Sequence, residues 1–429
     1  MQGSLDSRID PFAWRTTVMP GMEPRLLAGL PPSGTFRSLA SHRAAFPVPP
    51  RVGRRADPWL IDEVELAGLT GRGGADFPTA RKWRAVAEGI DPVIVVNGAE
   101  GEPVAGKDAL LMSRLPHLVI DGALHAAAAV GADRIIICVG EHSPRAVKAI
   151  KRALSERRKH EKSGIRITMQ KVPDRYVAGE SSALVAMLNR QEAVPTSSPY
   201  RTAERGFKKR PTLVQNAETL AHVAMIMAFG ADWYRSVGTE AEPGTRLVSL
   251  SGATAPTVSE VASGASLLDV LEAHGADAND VSGVLIGGFY GTWLRPEDAL
   301  SSRLSIDSLA PFDATPGCGV LHFLPKSSCG IAAVAQIADW FARESAGQCG
   351  PCVFGLRAIA DALAEVEEGF GGAMMGRIDR WTREIPGRGG CSLPDGAATM
   401  VRSGLSVFSA DLAAHRRGRC SADRELVFG

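Results

Sequence analysis

What the chain lacks narrows its function before any motif is read. Its 429 residues contain no uninterrupted apolar run of about 18, so nothing in the sequence spans a bilayer as a helix. Charge of one sign is not in excess either. A formal net charge of +1 gives no acidic or basic field that would draw nucleic acid or a membrane surface as partner. A disulfide framework is also excluded, because the seven cysteines form an odd set in a large chain without a signal peptide's apolar core. Residues 1–50 are instead rich in Arg, Ser and Pro, and are expected to form an irregular, partly ordered arm. The acids Asp6, Asp10 and Glu23 weigh against a transit peptide, which leaves a cytoplasmic location as the default expectation.

What remains is an ordinary globular composition, 45% hydrophobic and 22% charged, in a chain long enough for about three domains. From residue 92 to residue 173 the pattern alternates between strand and helix. Residues 92–97 (PVIVVN), 134–140 (RIIICVG) and 166–172 (RITMQKV) read as strands. Helical spacing fills 109–130 and 144–160, with Pro144 at the start of the second helix. The most apolar part of the first, 118–130, is broken only by Asp121 and His125 and reads as a buried helix. Strand–helix repetition of this kind implies an α/β fold with a mostly parallel sheet, whose ligands bind beyond the carboxyl ends of the strands. Residues 245–294 have a different texture: strands at 246–250 and 281–286 flank a short helix at 266–274, a small α+β unit with no catalytic constellation of its own. After about residue 328 the chain turns helical. No solenoid repeat is visible.

Three glycine or acidic loops carry candidate chemistry. Gly71, Arg72, Gly73 and Gly74 lie in a loop ahead of a helix, where backbone amides can approach an anion closely, and Arg72 and Lys82 would add positive charge. The spacing is not that of the GxGxxG dinucleotide fingerprint, and a tight loop without a ligand is the bland alternative. Asn97, Glu100 and Glu102 follow one strand, with Lys107 and Asp108 just beyond. Tyr176, Gly179 and Glu180 follow another and open a helix. Carboxylates and an amide there can hydrogen-bond a flavin ring, a ribose or a nicotinamide, although Glu180 also suits a helix start on dipole grounds alone.

The order GRGGxxFPTxxKW, NxxExEPxxxKD, YxxGExxAL and Gln215–Asn216–Ala217–Glu218–Thr219–Leu220 resembles the FMN- and NADH-binding region of the flavoprotein subunit of respiratory complex I, and its relatives in NAD-linked hydrogenases and formate dehydrogenases. The resemblance runs from about residue 66 to residue 408. It implies a Rossmann-like flavin and nucleotide domain over 56–240, a β-grasp module over 241–325 and a helical iron–sulfur domain over 326–429, behind an arm at 1–55. It further implies that Gly71, Arg72, Gly73, Gly74, Lys82, Asn97, Glu100, Tyr176, Gly179, Glu180, Asn216 and Thr219 surround FMN, with Phe77 near NADH and Glu180 serving hydride transfer. Three positions depart from the family. Ser181 stands where many relatives carry a second acid, Ala99 where an Asp is common, and Asp76 where a Gly is common.

Cys349 and Cys352 form a CxxC, and Cys391 follows thirty-nine residues later. Two thiolates so spaced reach one metal centre, and a distant third closes it. Zinc would call for a fourth Cys or His, and a thioredoxin-like redox pair would sit early in a βαβ unit. The family pattern is SCGxCxxC plus a late Cys around one 4Fe–4S cluster. Here Ala346 replaces the first cysteine, which leaves a four-iron cluster with a non-cysteine ligand, a three-iron cluster, or none. The other four cysteines read as structural, Cys138 as a small buried hydrophobe in a strand and Cys329 as packed in a helix, although Cys318 or Cys329 would be the thiols to consider for the missing corner. The implied chemistry is NADH oxidation on FMN, with single electrons leaving through an iron–sulfur cluster to a protein acceptor such as a ferredoxin or another redox subunit.

Overall fold

The computed structural model describes residues 14–32, 35–46, 55–161, 164–369, 374–418, 420 and 427–428. Ten strands are used below: β1 (Arg15–Val18), β2 (Val93–Gly98), β3 (Arg134–Gly140), β4 (Arg166–Val172), β5 (Thr212–Asn216), β6 (Thr245–Gly252), β7 (Thr257–Ala262), β8 (Val281–Ile286), β9 (Thr292–Leu294) and β10 (Val320–Pro325).

The first sheet has the order β4-β3-β2-β5, with every pair parallel. Its inner strands β2 and β3 are near-continuous runs of Val and Ile because helices cover both faces. The edge strand β4 instead alternates between half-buried and exposed residues. The expected strands and the helix Pro144–His160 occur as read. The single helix expected over 109–130 is two, Lys107–Arg114 and Pro116–Val130. Pro116 lacks an N–H and disfavours a helical residue before it, so the chain turns at Leu115 and restarts. Almost all of the second helix is buried, against the helix Ala217–Phe229 among others.

The second sheet has six strands in the order β1-β7-β6-β10-β8-β9. The described part of the expected N-terminal arm includes β1, which pairs in parallel with β7 and joins this sheet, and a helix at Leu39–Ala45. Residues 1–13, 33–34 and 47–54 of the arm lie outside the described residues. Helices Gly330–Arg343, Leu356–Glu367, Met374–Glu384 and Leu393–Val407 follow and share one apolar core. Together these give an α/β fold with a parallel sheet and a helical C-terminal region.

Buried and half-buried carboxylates stitch the parts together. Glu260 accepts from the backbone N–H groups of Arg25, Leu26 and Leu27 and from Thr245 Oγ1 at 2.7–3.0 Å, holding the N-terminal segment on β6 and β7. Glu218, at the start of the helix after β5, accepts from Leu247 N of β6 at 2.8 Å. Glu102 accepts from Phe289 N at 3.1 Å, and Glu344 from Tyr176 N at 2.7 Å. Each bond to a charged acceptor contributes about 1.5–3 kcal/mol, and a carboxylate stripped of its donors would cost more than that.

Candidate flavin cavity and cysteine loop

In the parallel sheet, β2, β3 and β4 progress in one direction while β5 lies on the other side of β2. This is a topological switch point, and the chain diverges at its carboxyl end. Asn97 and Asn216 are paired in register there. Asn216 starts its helix by accepting from Glu218 N at 2.9 Å and Thr219 N at 3.3 Å, while its amide donates to Asp108 at 2.6 Å. Asn97 donates to the Gly179 carbonyl at 2.8 Å. Both asparagines are therefore locked, and both face a cavity of about 620 Å³.

Gly73, Gly74, Asn97, Glu100, Tyr176, Gly179, Glu180 and Asn216, all singled out from sequence, line this cavity. The glycines are there for space. A Cβ on Gly73 would stand 3.3 Å from Asn216 Cβ, one on Gly179 3.2 Å from the Ala99 carbonyl, and one on Gly101 only 2.7 Å from the backbone of Tyr176.

Five expected residues do not line it. Arg72 is buried beneath the loop, donating to Thr70 Oγ1, Tyr234 Oη and the Thr245 carbonyl at 2.8–3.2 Å. Lys82 donates to the Val214 carbonyl at 2.5 Å, and burial lowers its ammonium to about 8. Neither cation reaches the mouth of the loop, so the charge expected from them is spent on shaping it. Thr219 accepts from Arg72 N at 2.9 Å, and Gly71 N–H donates to the Phe77 carbonyl at 2.9 Å. Phe77 is 44% exposed, with the Arg81 guanidinium over its ring. Asp76, where relatives often have Gly, has φ of 44° and sits between Arg72 and Arg246 at 3.6 and 3.1 Å. That ion pairing offsets a left-handed backbone which glycine adopts without cost.

The floor of the cavity is a buried charge cluster. Lys107 Nζ donates to Glu218 at 2.5 Å and to the Arg72 carbonyl at 2.9 Å. Burial works against its charge, but Asp108 and Glu218 hold it above its usual value. Burial alone would raise Glu218 as well, yet Lys107 beside it brings it down to about 2. Glu100 accepts from Asp108 N and Ala109 N at 3.1 and 3.0 Å. Burial, with Asp108 next to it, pushes Glu100 up to about 7. Removing one member of such a buried pair costs about 3–5 kcal/mol, so this floor is rigid by construction.

The opposite wall was not anticipated. Gly287, Tyr290 and Thr292 after β8, and Asp313, Thr315, Gly317 and Cys318 before β10, all line the cavity. The unit read as having no constellation of its own thus supplies one side of the site. The run Gly287, Gly288, Phe289, Tyr290, Gly291 directly after a strand was the available signal. Tyr290 stacks on Tyr176 at 6.3 Å between ring centres.

The third wall comes from the cysteine region: Cys391, Ser392, Leu393, Asp395, Gly396 and Thr399. One of the three expected cysteines therefore opens into the nucleotide cavity. Burial raises its thiol, and Cys352, Cys349 and Glu180 all act on it electrostatically. Cys349 and Cys352 flank a helix start where Cys352 N and Val353 N both donate to the Cys349 carbonyl, at 3.1 and 2.9 Å. Ser345 Oγ donates to Cys352 Sγ at 3.2 Å. The loop is tied to the cavity by Arg175, whose guanidinium donates to the Ser345 carbonyl at 2.7 Å. Ala346 packs against the same apolar core as the three cysteines.

The residues fit both cofactors. A glycine-walled cavity with two stacked tyrosines and amide and carboxylate groups at strand ends suits a flavin nucleotide, and its volume lies within the usual 300–1,000 Å³ for small ligands. Three thiols on one loop pair and one later turn suit an iron–sulfur cluster at three corners. The two thiols considered for the fourth corner are engaged elsewhere: Cys318 donates to the Gly287 carbonyl at 3.5 Å, and Cys329 stands beside His415 and Cys420. Cys138 is fully buried in β3, as read.

Comparison with known proteins agrees. Residues 64–225 match the Nuo51 FMN-binding domain, and residues 332–415 match the NADH-ubiquinone oxidoreductase-F iron-sulfur binding region. The NADH-quinone oxidoreductase F subunit numbered 2 in Rhizobium meliloti (strain 1021) is 31% identical over 83% of this chain and 88% of its own length. The chain belongs to the family of NADH-quinone oxidoreductase F subunits. The member from Streptomyces coelicolor (strain ATCC BAA-471 / A3(2) / M145) is likewise 31% identical, covering 84% of this chain and 83% of that one. An NAD+-reducing NiFe-hydrogenase in the H2-reduced state matches with a TM-score of 0.79 and 30% identity, over 92% of this chain and 66% of that chain. The air-oxidised form gives 0.75 and 32%, over 84% and 63%. The chain thus spans just under two thirds of those hydrogenase chains. As a member of this family it is an oxidoreductase of the NADH dehydrogenase type, with an FMN-binding domain and an iron–sulfur region. Among its described residues no helix is long and apolar enough to cross a membrane.

Proposed function

We propose that this chain oxidises NADH at the cavity described above and delivers single electrons, by way of the cysteine loop, to a protein acceptor. The observation that carries the reading is Cys391 lining the same cavity as Gly73, Asn97 and Glu180. FMN, when bound, converts a hydride into two single electrons, and an iron–sulfur cluster takes them one at a time.

The chain's own residues prepare that exchange. Gly73 and Gly74 leave room for the flavin nucleotide along the loop, and Gly71, Arg72, Lys82 and Thr219 hold the loop's shape from beneath. Asn97, Asn216 and Glu100 present fixed polar groups at strand ends, and Tyr176 with Tyr290 supplies a flat apolar wall. Glu180 accepts from Ser182 N and Ala183 N at 2.8 and 3.0 Å through one carboxylate oxygen. Pinned in this way at the exposed rim, it would accept a hydrogen bond from the entering nicotinamide and orient it. Phe77, exposed two residues beyond the cavity-lining Ala75, offers a stacking ring for the incoming dinucleotide. Cys349, Cys352 and Cys391 would hold the cluster. Phe354, two residues past Cys352, is 76% exposed, and a large bare apolar side chain there suits a docking protein such as a ferredoxin or a partner redox subunit.

The match of residues 64–225 to an FMN-binding domain implies FMN rather than FAD. The direct check is chemical analysis of anaerobically purified protein. Released flavin should be FMN, NADH should bleach it, and iron should accompany it. Flavin without iron would leave a flavin reductase acting directly on its acceptor, the reading that Ala346 favours. Absence of both flavin and NADH oxidation would leave a ligand-binding subunit.

A further inference from the structure

A second group of metal-binding side chains lies outside that site. Cys329 Sγ is 3.1 Å from His415 Nε2 and 3.7 Å from Cys420 Sγ, and all three ligand atoms lie within 4.8 Å of one another. Among the described residues no other three His, Cys, Asp or Glu side chains gather so closely. We propose that Cys329, His415 and Cys420 hold one zinc ion, which fastens the C-terminal segment to the start of the helix leading into the iron–sulfur loop.

The spacing is that of ligands around one small ion. Zinc–sulfur bonds of about 2.3 Å and zinc–nitrogen bonds of about 2.0 Å at a tetrahedral angle put two sulfurs about 3.8 Å apart, and sulfur and nitrogen about 3.5 Å apart. The separations of Cys329 from His415 and from Cys420, 3.1 and 3.7 Å, are within half an ångström of these. The imidazole is also oriented for the task. Its Nδ1–H donates to the Glu367 carbonyl at 2.6 Å, which leaves Nε2 with its lone pair turned to the sulfurs. Metal-ligating histidines are characteristically fixed by such an outer hydrogen bond.

Charge and burial point the same way. Cys329 and His415 are fully buried, and two thiolates with one Zn2+ form a neutral unit suited to that environment. Binding releases two thiol protons to solvent. Soft thiolates with an imidazole select zinc over magnesium or calcium, and the fourth tetrahedral position is left to water.

The location gives the site a structural role. Cys329 caps the helix Gly330–Arg343, with Ala332 N–H donating to its sulfur at 3.4 Å. That helix runs straight into the loop that bears Cys349 and Cys352. His415 closes the helix Ser409–His415, whose Asp411 accepts from Gly330 N at 2.9 Å. Beyond Cys420 the chain returns to the same helix, where Val427 N donates to Gln336 at 3.1 Å and Phe428 is buried. No family motif in the sequence marks these three residues, and the inference stands whether or not the proposed electron path is right.

The test is metal analysis of the full-length protein purified without air and without chelator. One zinc per chain is expected, alongside whatever iron is present. Cys420→Ser and His415→Gln should each lose that zinc while flavin and iron contents stay unchanged. Co2+ substituted for zinc should show thiolate-to-metal absorption in the parent protein and not in Cys420→Ser, a readout that does not depend on stability. Three results would overturn the proposal: no zinc together with no cobalt–thiolate absorption, zinc retained in full by Cys420→Ser, or a Cys329–Cys420 disulfide in the purified protein.

Discussion

The cavity floor and the cysteine loop meet at one site but are built to different standards. On the floor every charged group has an assigned partner: Lys107 with Glu218, Asn216 with Asp108, and Glu100 with two backbone amides. At the loop, by the proposed reading, three thiols would hold a cluster, and Ala346 stands where the family pattern has the fourth cysteine. The contrast shows where substitutions lose and where they gain. An over-determined floor has nothing to gain from a change, whereas an incomplete ligand set can be improved by one residue.

The largest loss is expected at the glycine loop. Gly73→Val should reduce flavin retention from near full to near none, because its side chain would press Asn216 and fill the cradle. Flavin content of the purified variant, set beside its circular dichroism, would show this. Full occupancy would mean that the loop does not seat the nucleotide.

Glu180→Gln should slow flavin reduction by NADH about 10-fold in stopped-flow measurements, from the loss of one charge-assisted hydrogen bond of about 1.5 kcal/mol to the nicotinamide. Thermal stability should move by no more than about 1 kcal/mol, since an amide oxygen can still cap the helix. An unchanged rate would reduce Glu180 to its capping role.

The loop should behave in the opposite sense. Without a thiolate at the Ala346 corner, the parent cluster should pass from a four-iron to a three-iron electron paramagnetic resonance signal on exposure to air. Ala346→Cys should suppress that conversion. Equal lability in both proteins would argue that Ala346 is not at the corner.

The smallest effect is a pH slope from the floor. Glu100 is raised to about 7 in the folded protein from an ordinary value near 4.5, so the native state binds more protons than the unfolded state between those values. Stability of the flavin-free protein should therefore fall as pH rises across that window, by no more than about 1.4 kcal/mol per pH unit for one group. Glu100→Gln should flatten the slope, and a slope of the same size in the variant would assign it elsewhere. Glu218, held down at about 2, contributes with the opposite sign below pH 4.5, outside that window.

How far the sequence was legible follows from how local each feature is. The strands β3 and β4 and the helix Pro144–His160 were read to the residue, because Ile-rich runs and a Pro-initiated helix are set by near neighbours. The pairings of β1 with β7 and of β10 with β6 were not, because those partners lie far along the chain, and the short strands β7 and β9 were passed over although β6 and β8 directly precede them. Eight of the thirteen cofactor residues expected from the motifs line the cavity, since the loops that bear them sit at strand ends. Arg72 and Lys82 bond to the protein's own groups beneath the loop, which sequence does not reveal, because a cation beside a glycine loop looks the same whether it faces a phosphate or a backbone carbonyl. Cys349, Cys352 and Cys391 are visible by spacing, whereas Cys329, His415 and Cys420 meet only through tertiary packing.

The most direct test of the account is an anaerobic titration with NADH, following flavin absorbance and the low-temperature cluster signal in the same samples. The account predicts that flavin bleaches and that a reduced iron–sulfur signal grows with it, within one chain and without any added mediator. Bleaching of the flavin with iron present but no change in the cluster signal would contradict it, because the opening of Cys391 into the cavity would then carry no electrons.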